Sequence, residues 1–134
     1  MATSKRWYMD GTFKIFKKPF MQLWTIHAFI RVKDSKKMLP LMYVLMSRRT
    51  RKYYKCVLKI IVNKILKNNI AVTQCVMDFE KAVWLALEDM FGDDVELFGC
   101  GFHWTQCIFR RLKKLGLTSV YRSKHSNQVS TICR

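Results

Sequence analysis

The amino-acid sequence predicts an α/β fold, in which a mixed sheet carries helices on its faces. Up to Met46, apolar segments rich in β-branched and aromatic residues are separated by polar stretches without helical spacing. After Met46, segments with apolar residues at helical spacing alternate with short apolar segments. Three leading strands in a meander, followed by alternating helices and strands, are typical of a mixed sheet.

The leading strands are predicted at Trp7–Phe13, Phe20–Val32 and Leu39–Met46. Asp34–Lys37 is expected to form the hairpin loop between the second and third strands, and Pro40 stands near a strand start, where a missing N–H is tolerated. Asp10 lies within the first strand, although Asp is depleted from strands. Either that strand ends in a turn with Gly11, or the acid is required for chemistry.

The first helix is predicted from about Arg51 to Lys67, with Thr50 as its N-cap. Its buried stripe is expected to comprise Tyr54, Val57, Leu58, Ile61 and Ile65. A strand at Val72–Met77 follows, and then a helix at Phe79–Phe91 that Gly92 ends.

The last predicted elements are a fifth strand at Val95–Phe98 and a helix that Gly116 ends. That helix is indicated by the spacing of Trp104, Ile108, Leu112 and Leu115. The length of 134 residues suits one domain with a single core. We expect the domain to occupy residues 1–117, and residues 118–134 to form a loosely ordered tail.

Charge is the strongest compositional signal. The chain has 25 Lys and Arg against 9 Asp and Glu, a formal net charge of +16. Such a balance favours a polyanionic partner, nucleic acid first and an anionic membrane surface second. Two clusters either contact phosphate, serve as nuclear localisation signals or form solvated helix faces. They comprise Arg48, Arg49, Arg51 and Lys52, and then Arg110, Arg111, Lys113 and Lys114.

Other compositional features predict the compartment. No segment is apolar over the roughly 18–20 residues of a membrane helix, and no hydrophobic signal region follows Met1, so the chain is not expected to be secreted. The 5 cysteines are odd in number and scattered, which favours a reducing compartment over a disulfide framework. No Gly-rich phosphate loop is present, and no small-molecule substrate is predicted.

Asp78 stands where a buried strand passes into a helix. It is either the N-cap of that helix or part of a site, because ligands of open α/β sheets collect at the carboxyl ends of strands. If the first strand and the strand before Asp78 lie side by side and parallel, Asp10 comes close to Asp78. Two adjacent carboxylates repel each other, and a divalent cation such as Mg²⁺ relieves the repulsion. Metal ions held in this way serve in-line attack on phosphodiesters.

Five blocks of the sequence resemble a known family. They are Trp7–Lys14, Gln22–Ala28, Pro40–Leu41, Asp78–Ala82 and Gly99–Gln106, and the resemblance extends from Trp7 to about Tyr121. In order and spacing they resemble the transposase domain of Mutator-like elements (MULE). The resemblance implies a ribonuclease-H-like fold and DDE-type DNA transposition, with strand cleavage and transfer at element ends in the nucleus.

The resemblance also implies site residues. Asp10 resembles the first catalytic acid and Asp78 the second, and the two would hold Mg²⁺ or Mn²⁺. Cys100 and His103 resemble the C-x2-H pair that follows the second acid and belongs to the active region. DNA is the expected partner, and self-association into a homo-oligomer is left open.

The sequence departs from the family at the third acid, a Glu that lies beyond the C-x2-H pair. No Asp or Glu follows Glu96. Glu80 is a substitute in principle, but its position favours a first-turn helix acid. We therefore expect a transposon-derived fragment that is inactive by itself. The alternatives are a non-catalytic basic DNA-binding module and a chain too short to fold stably.

Two other site chemistries are a ribonuclease H site and a zinc site. A ribonuclease H proper needs an acid on the helix after the third strand, and no Asp or Glu occurs from Ser35 to Met77. Cys100, His103 and Cys107 offer three zinc ligands within eight positions, which Cys56 or Cys75 would have to complete. The alternative is that these cysteines are simply buried.

Overall fold

The computed structural model describes residues 3–13, 17–119 and 121. The predicted α/β class is confirmed. The strands are β1 (Arg6–Phe13), β2 (Gln22–Val32), β3 (Ser35–Met46), β4 (Gln74–Met77) and β5 (Glu96–Gly99). The helices are α1 (Arg51–Lys59), which continues as a π-helix (Ile60–Ile65), then α2 (Lys81–Phe91), a short 3-10 turn (Gly92–Asp94) and α3 (Gly101–Lys114).

The sheet has the strand order β3-β2-β1-β4-β5. The three leading strands are antiparallel, whereas β4 runs parallel to β1 and β5 runs parallel to β4. This mixed arrangement is consistent with the ribonuclease-H-like fold that the resemblance implies. A polar ladder crosses the parallel strands at their start, because Arg6 Nε donates to Gln74 Oε1 at 2.6 Å and Gln74 Nε2 donates to Glu96 Oε2 at 2.9 Å.

The hairpin between β2 and β3 is tighter than the predicted loop Asp34–Lys37. Val32 pairs with Ser35, so the turn has only two residues, and its first, Lys33, has a φ of 54°. Two-residue hairpins favour such positive φ values, because their twist matches that of the strands. Pro40 lies inside β3, an edge strand, next to a register shift, where a missing N–H is tolerated.

The core lies between one face of the sheet and the helices α1 and α2. Alternate residues of the central strands enter it, as the two-residue side-chain period requires. The fully buried side chains are Trp7, Gln22, Trp24, Ile26, Tyr54, Leu58, Ile61, Cys75, Met77 and Leu87. This packing fixes β1 and β4 side by side and so determines where their carboxyl ends lie.

The end of the first helix differs from the predicted stripe. Ile65 is 52% exposed, and Val62 is buried instead. The reason is the π-helical segment, in which Leu66 N donates to Ile61 O at 2.9 Å, an i to i+5 bond. A π-turn holds more residues than an α-turn, so it rotates the following side chains away from the expected face.

The chain divides into two compact units, Met1–Cys100 and Gly101–Arg134. Within the second unit, α3 confirms the predicted helix, but the described residues of α3 include none that is buried. Trp104 is 57% exposed. The predicted tail at 118–134 lies almost wholly outside the described residues. No described helix has both the length and the apolar character needed to cross a bilayer.

Candidate functional site

The register of β1 and β4 brings the two predicted acids together. Met9 is the partner of Met77 in the parallel pairing, and Asp10 and Asp78 are the next residues of the two chains. Neighbouring strands lie about 4.8 Å apart. Both acids line one small cleft of about 10 Å³, roughly the space of a single water molecule. The cleft is lined by Met9, Asp10, Gly11, Phe13, Trp24, Met77, Asp78, Glu80 and Val83.

Asp78 is not a helix cap. The helix α2 begins at Lys81 with Glu80 in the N-cap position, so the interpretation of Asp78 as a cap is wrong, as is the predicted start at Phe79. Asp78 Oδ1 accepts a hydrogen bond from the N–H of Phe79 at 2.7 Å. Its backbone carbonyl accepts one from Trp84 Nε1 at 2.9 Å. These bonds orient the carboxylate at the strand end.

Asp10 lies inside β1, which continues to Phe13, so the alternative that the strand ends at Gly11 is wrong. Asp10 Oδ1 accepts a hydrogen bond from the N–H of Gly11 at 2.9 Å. Its backbone carbonyl accepts one from Thr25 Oγ1 at 3.3 Å, across the β1–β2 pairing. The acid therefore occupies a strand position that propensity disfavours, as a functional residue does.

Glu80 also lines the cleft, but its carboxylate is engaged. Arg49 donates from Nε to Oε1 at 3.3 Å and from Nη2 to Oε2 at 3.0 Å. The hydroxyl of Tyr54 donates to Oε1 at 3.1 Å. The predicted role as a first-turn helix acid is wrong, because Glu80 is the N-cap residue and its side chain bonds no helix N–H.

A buried polar chain behind Glu80 escaped the sequence reasoning. Gln22 Nε2 donates to the Tyr54 hydroxyl at 2.5 Å, and the same hydroxyl donates to Glu80 Oε1. Burial raises the pKa of Tyr54, which keeps the phenol protonated as a donor. The feature of the sequence that points to this polar chain is Gln22, a polar residue in an otherwise apolar strand. Its side chain is completely buried and therefore needs a hydrogen-bond partner.

The donor set fits a magnesium ion that keeps most of its waters. Among residues 3–13, 17–119 and 121, no three His, Cys, Asp or Glu side chains gather as a metal-binding group. Asp10 and Asp78 supply two carboxylates at one cleft. Mg²⁺ is usually bound by one or two carboxylates together with waters and substrate phosphates, rather than by a protein cage.

Cys100 lies in the first unit, beside the second acid. Its N–H donates to Met77 O at 2.7 Å, one residue before Asp78. His103 and Cys107 belong to α3 in the second unit, one helical turn apart. Among the described cysteines only Cys75 is buried, so burial does not account for Cys56, Cys100 or Cys107, and no described group of ligands supports zinc.

Two arginines of the predicted basic cluster after β3 form ion pairs with acids of α2 and its N-cap. Arg49 is held by Glu80, and Arg51 Nε donates to Asp89 Oδ2 at 2.9 Å. Hydrogen bonds from Arg51 and then Lys55 lower the pKa of Asp89 to about 2. Arg48 lies over the ring of Tyr53 at 5.8 Å. The second predicted cluster is exposed on α3, with Arg110, Arg111, Lys113 and Lys114.

A groove of about 380 Å³ runs along α3. Its lining mixes aromatic, polar and basic side chains, namely Phe102, Thr105, Gln106, Phe109, Arg110 and Lys113. Exposed rings between cations are the components with which proteins stack on bases and track a nucleic-acid backbone.

A comparison with protein families shows which family the chain matches. The model of the MULE transposase domain matches residues 6–107. None of the curated proteins compared with the chain matches it. The matched region begins with β1, includes Asp10, Asp78, Cys100 and His103, and ends within α3.

Proposed function

The chain belongs to the MULE transposase domain family, and from this premise we propose that its cleft binds a divalent metal ion and a DNA phosphodiester. The observation that carries the proposal is the shared position of Asp10 and Asp78, one residue beyond a register pair of parallel strands and on one cleft. Carboxyl ends of strands are where α/β sheets bind ligands.

The ion would be Mg²⁺ or Mn²⁺, held by Asp10 and Asp78. When bound, such an ion neutralises the paired carboxylates and stabilises the oxygens of a phosphodiester under attack. The protein's own contribution is orientation, because each carboxylate is fixed by the following N–H. Trp84 additionally holds the carbonyl of Asp78.

The substrate class follows from charge. A chain of 134 residues with a net charge of +16 attracts polyanions and binds them in a salt-dependent way. Membership of this family implies action on DNA, so DNA is the proposed polyanion and the nucleus is the proposed compartment. The exposed cations of α3 are proposed as the phosphate contacts that do not depend on the metal.

The cleft is lined by three carboxylates, those of Asp10, Asp78 and Glu80. No Asp or Glu follows Glu96, and Glu80 is bound by Arg49 and Tyr54. We therefore expect the chain by itself to bind metal and DNA without cutting it. Cys100 and His103 are proposed as members of the active region.

A second candidate function is a non-catalytic DNA-binding module. The groove along α3, where Phe102 and Phe109 alternate with Arg110 and Lys113, favours it. It predicts DNA binding that is indifferent to metal and falls steeply with salt.

The experiment that separates the two is thermal unfolding with Mn²⁺ and with EDTA. A ligand that binds the native state raises the melting temperature by mass action. We expect Mn²⁺ to raise it for the wild type and for Asp93→Asn, which removes an exposed acid of the 3-10 turn. Asp78→Asn is expected to abolish the rise. Equal responses of all three proteins would contradict the metal site and leave the binding module.

A further inference from the structure

One arginine of the basic cluster is held at the rim of the cleft. The guanidinium of Arg49 lies over the ring of Phe13, with 4.1 Å between its central carbon and the ring centroid. Its edge is bound by the carboxylate of Glu80 through two hydrogen bonds. Phe13 and Glu80 both line the cleft of Asp10 and Asp78. One partner fixes the face of the guanidinium and the other its edge.

The held guanidinium still has donors to offer. A guanidinium carries five N–H groups, and Arg49 gives two of them to Glu80, from Nε and Nη2. Neither of these two bonds uses Nη1. The Arg49 side chain is 40% exposed, so a phosphate can reach it from solvent. A planar edge of N–H groups is the arrangement that binds phosphate oxygens in pairs.

The support of Arg49 extends into the core. Glu80 accepts from Tyr54, which in turn accepts from Gln22. Tyr54 and Gln22 are completely buried, so Glu80 cannot swing freely. The other paired arginine, Arg51, differs because its partner Asp89 is not among the residues that line the cleft.

We propose that Arg49 is the phosphate-binding residue of the cleft and that Glu80 is its positioning residue. The proposal rests on the proposed function, since the phosphate is that of DNA approaching Asp10 and Asp78. It assigns to Glu80 a role other than that of a third metal ligand. An arginine fixed in advance loses little side-chain freedom when it binds a phosphate.

Glu80 makes the proposal distinguishable from general electrostatic attraction. In a protein of net charge +16, neutralising a carboxylate raises affinity for DNA if charge alone matters. If Glu80 positions Arg49, neutralising it lowers the affinity instead. The matched control is Glu88→Gln, which neutralises an exposed carboxylate of α2 that lines no part of the cleft.

The test is fluorescence anisotropy with a short labelled oligothymidylate at fixed salt in EDTA. We expect Arg49→Ala to weaken binding about tenfold, as for loss of a charged hydrogen-bonding partner. Arg48→Ala, which removes the same charge from the neighbouring position, is expected to weaken it no more than about twofold. Glu80→Gln should weaken binding, and Glu88→Gln should leave it equal or tighter.

Arg49→Lys distinguishes loss of the guanidinium from a folding defect. It keeps the net charge but loses the planar edge, so binding should still fall several-fold while the circular dichroism spectrum and melting curve stay cooperative. A second readout is the Nε–Hε resonance of Arg49, which should shift when the oligothymidylate is added to wild-type protein and not when it is added to Glu80→Gln.

Two results would overturn the proposal. One is an equal loss for Arg48→Ala and Arg49→Ala, and the other is tighter binding by Glu80→Gln. These measurements need no metal, whereas the proposed metal site is tested by the Mn²⁺ response of Asp78→Asn. A failure of the Arg49 proposal can therefore be distinguished from a failure of the proposed metal site.

Discussion

The indole N–H of Trp84 donates a hydrogen bond to the backbone carbonyl of Asp78 at 2.9 Å. A side chain in the first turn of α2 thereby holds the end of β4, where the second acid stands. The bond adds a direct link between strand and helix to the hydrogen bonds that Phe79 N–H and Cys100 N–H donate at the same junction.

Trp84→Phe keeps an aromatic ring and removes the donor. We expect it to lower the free energy of unfolding by about 1 kcal/mol, the usual net value of one such hydrogen bond. It should also reduce the rise in melting temperature that Mn²⁺ causes. Urea unfolding measures the first effect, and thermal unfolding with and without Mn²⁺ measures the second. Trp104→Phe, at a tryptophan of α3 that does not line the cleft, is the control and should leave the response to Mn²⁺ unchanged.

Gly11→Ala tests how closely Gln22 and Phe13 pack against the backbone next to Asp10. A methyl group at Gly11 would meet Gln22 Oε1 and the Phe13 ring at 3.1 Å each. Gln22 is completely buried and bonded to Tyr54, so it cannot give way easily. We expect a loss of about 1–2 kcal/mol in the free energy of unfolding. Gly101→Ala, which would meet nothing within 4 Å, is expected to be neutral or stabilising.

Acid should weaken the link between α1 and α2. Hydrogen bonds from Arg51 and Lys55 lower the pKa of Asp89 from 3.8 to about 2. A lowered carboxyl pKa means that the unfolded chain binds the proton more tightly, so this stabilisation is present above about pH 4 and is lost as the pH falls through 2. Melting temperatures measured from pH 7 down to pH 2 should fall less steeply for Asp89→Asn than for the wild type. Indistinguishable slopes would argue against the pairing.

Thiol labelling should report the integrity of the sheet. Cys75 is completely buried in β4, and burial raises its pKa to about 12, so in the native protein it is neither accessible nor a thiolate. Cys56 and Cys107 are exposed. Iodoacetamide followed by peptide mass spectrometry should modify these two rapidly, and Cys75 only in denaturant. Rapid native modification of Cys75 would contradict the strand register next to the acids.

The sequence predicted the parts of the fold that depend on side-chain periodicity. The alternation of buried residues in β1 and β4 follows from their apolar pattern, and the topology follows from the element order. The proximity of Asp10 and Asp78 follows from that topology, because the two strands are parallel neighbours whose last register pair, Met9 and Met77, immediately precedes the two acids. These inferences needed no knowledge of individual side-chain contacts.

The parts that escaped prediction depend on contacts that leave no periodic trace. The π-helical bond from Leu66 to Ile61 changes which side chains are buried without any change in residue type. Arg49 and Glu80 are 31 positions apart, and their pairing depends on how the loop after β3 meets α2. The side chain of Glu80 was therefore assigned to its own helix, although its partner lies in another element.

The polar ladder of Arg6, Gln74 and Glu96 fixes the register of the strands at the end opposite to the acids. The same number of residues separates Arg6 from Asp10 as separates Gln74 from Asp78. Side chains alternate between the two faces of a sheet. One residue inserted or deleted between Arg6 and Asp10, or between Gln74 and Asp78, would therefore turn one acid to the opposite face. The coding segments between ladder and acids should therefore accept substitutions far more readily than changes of length.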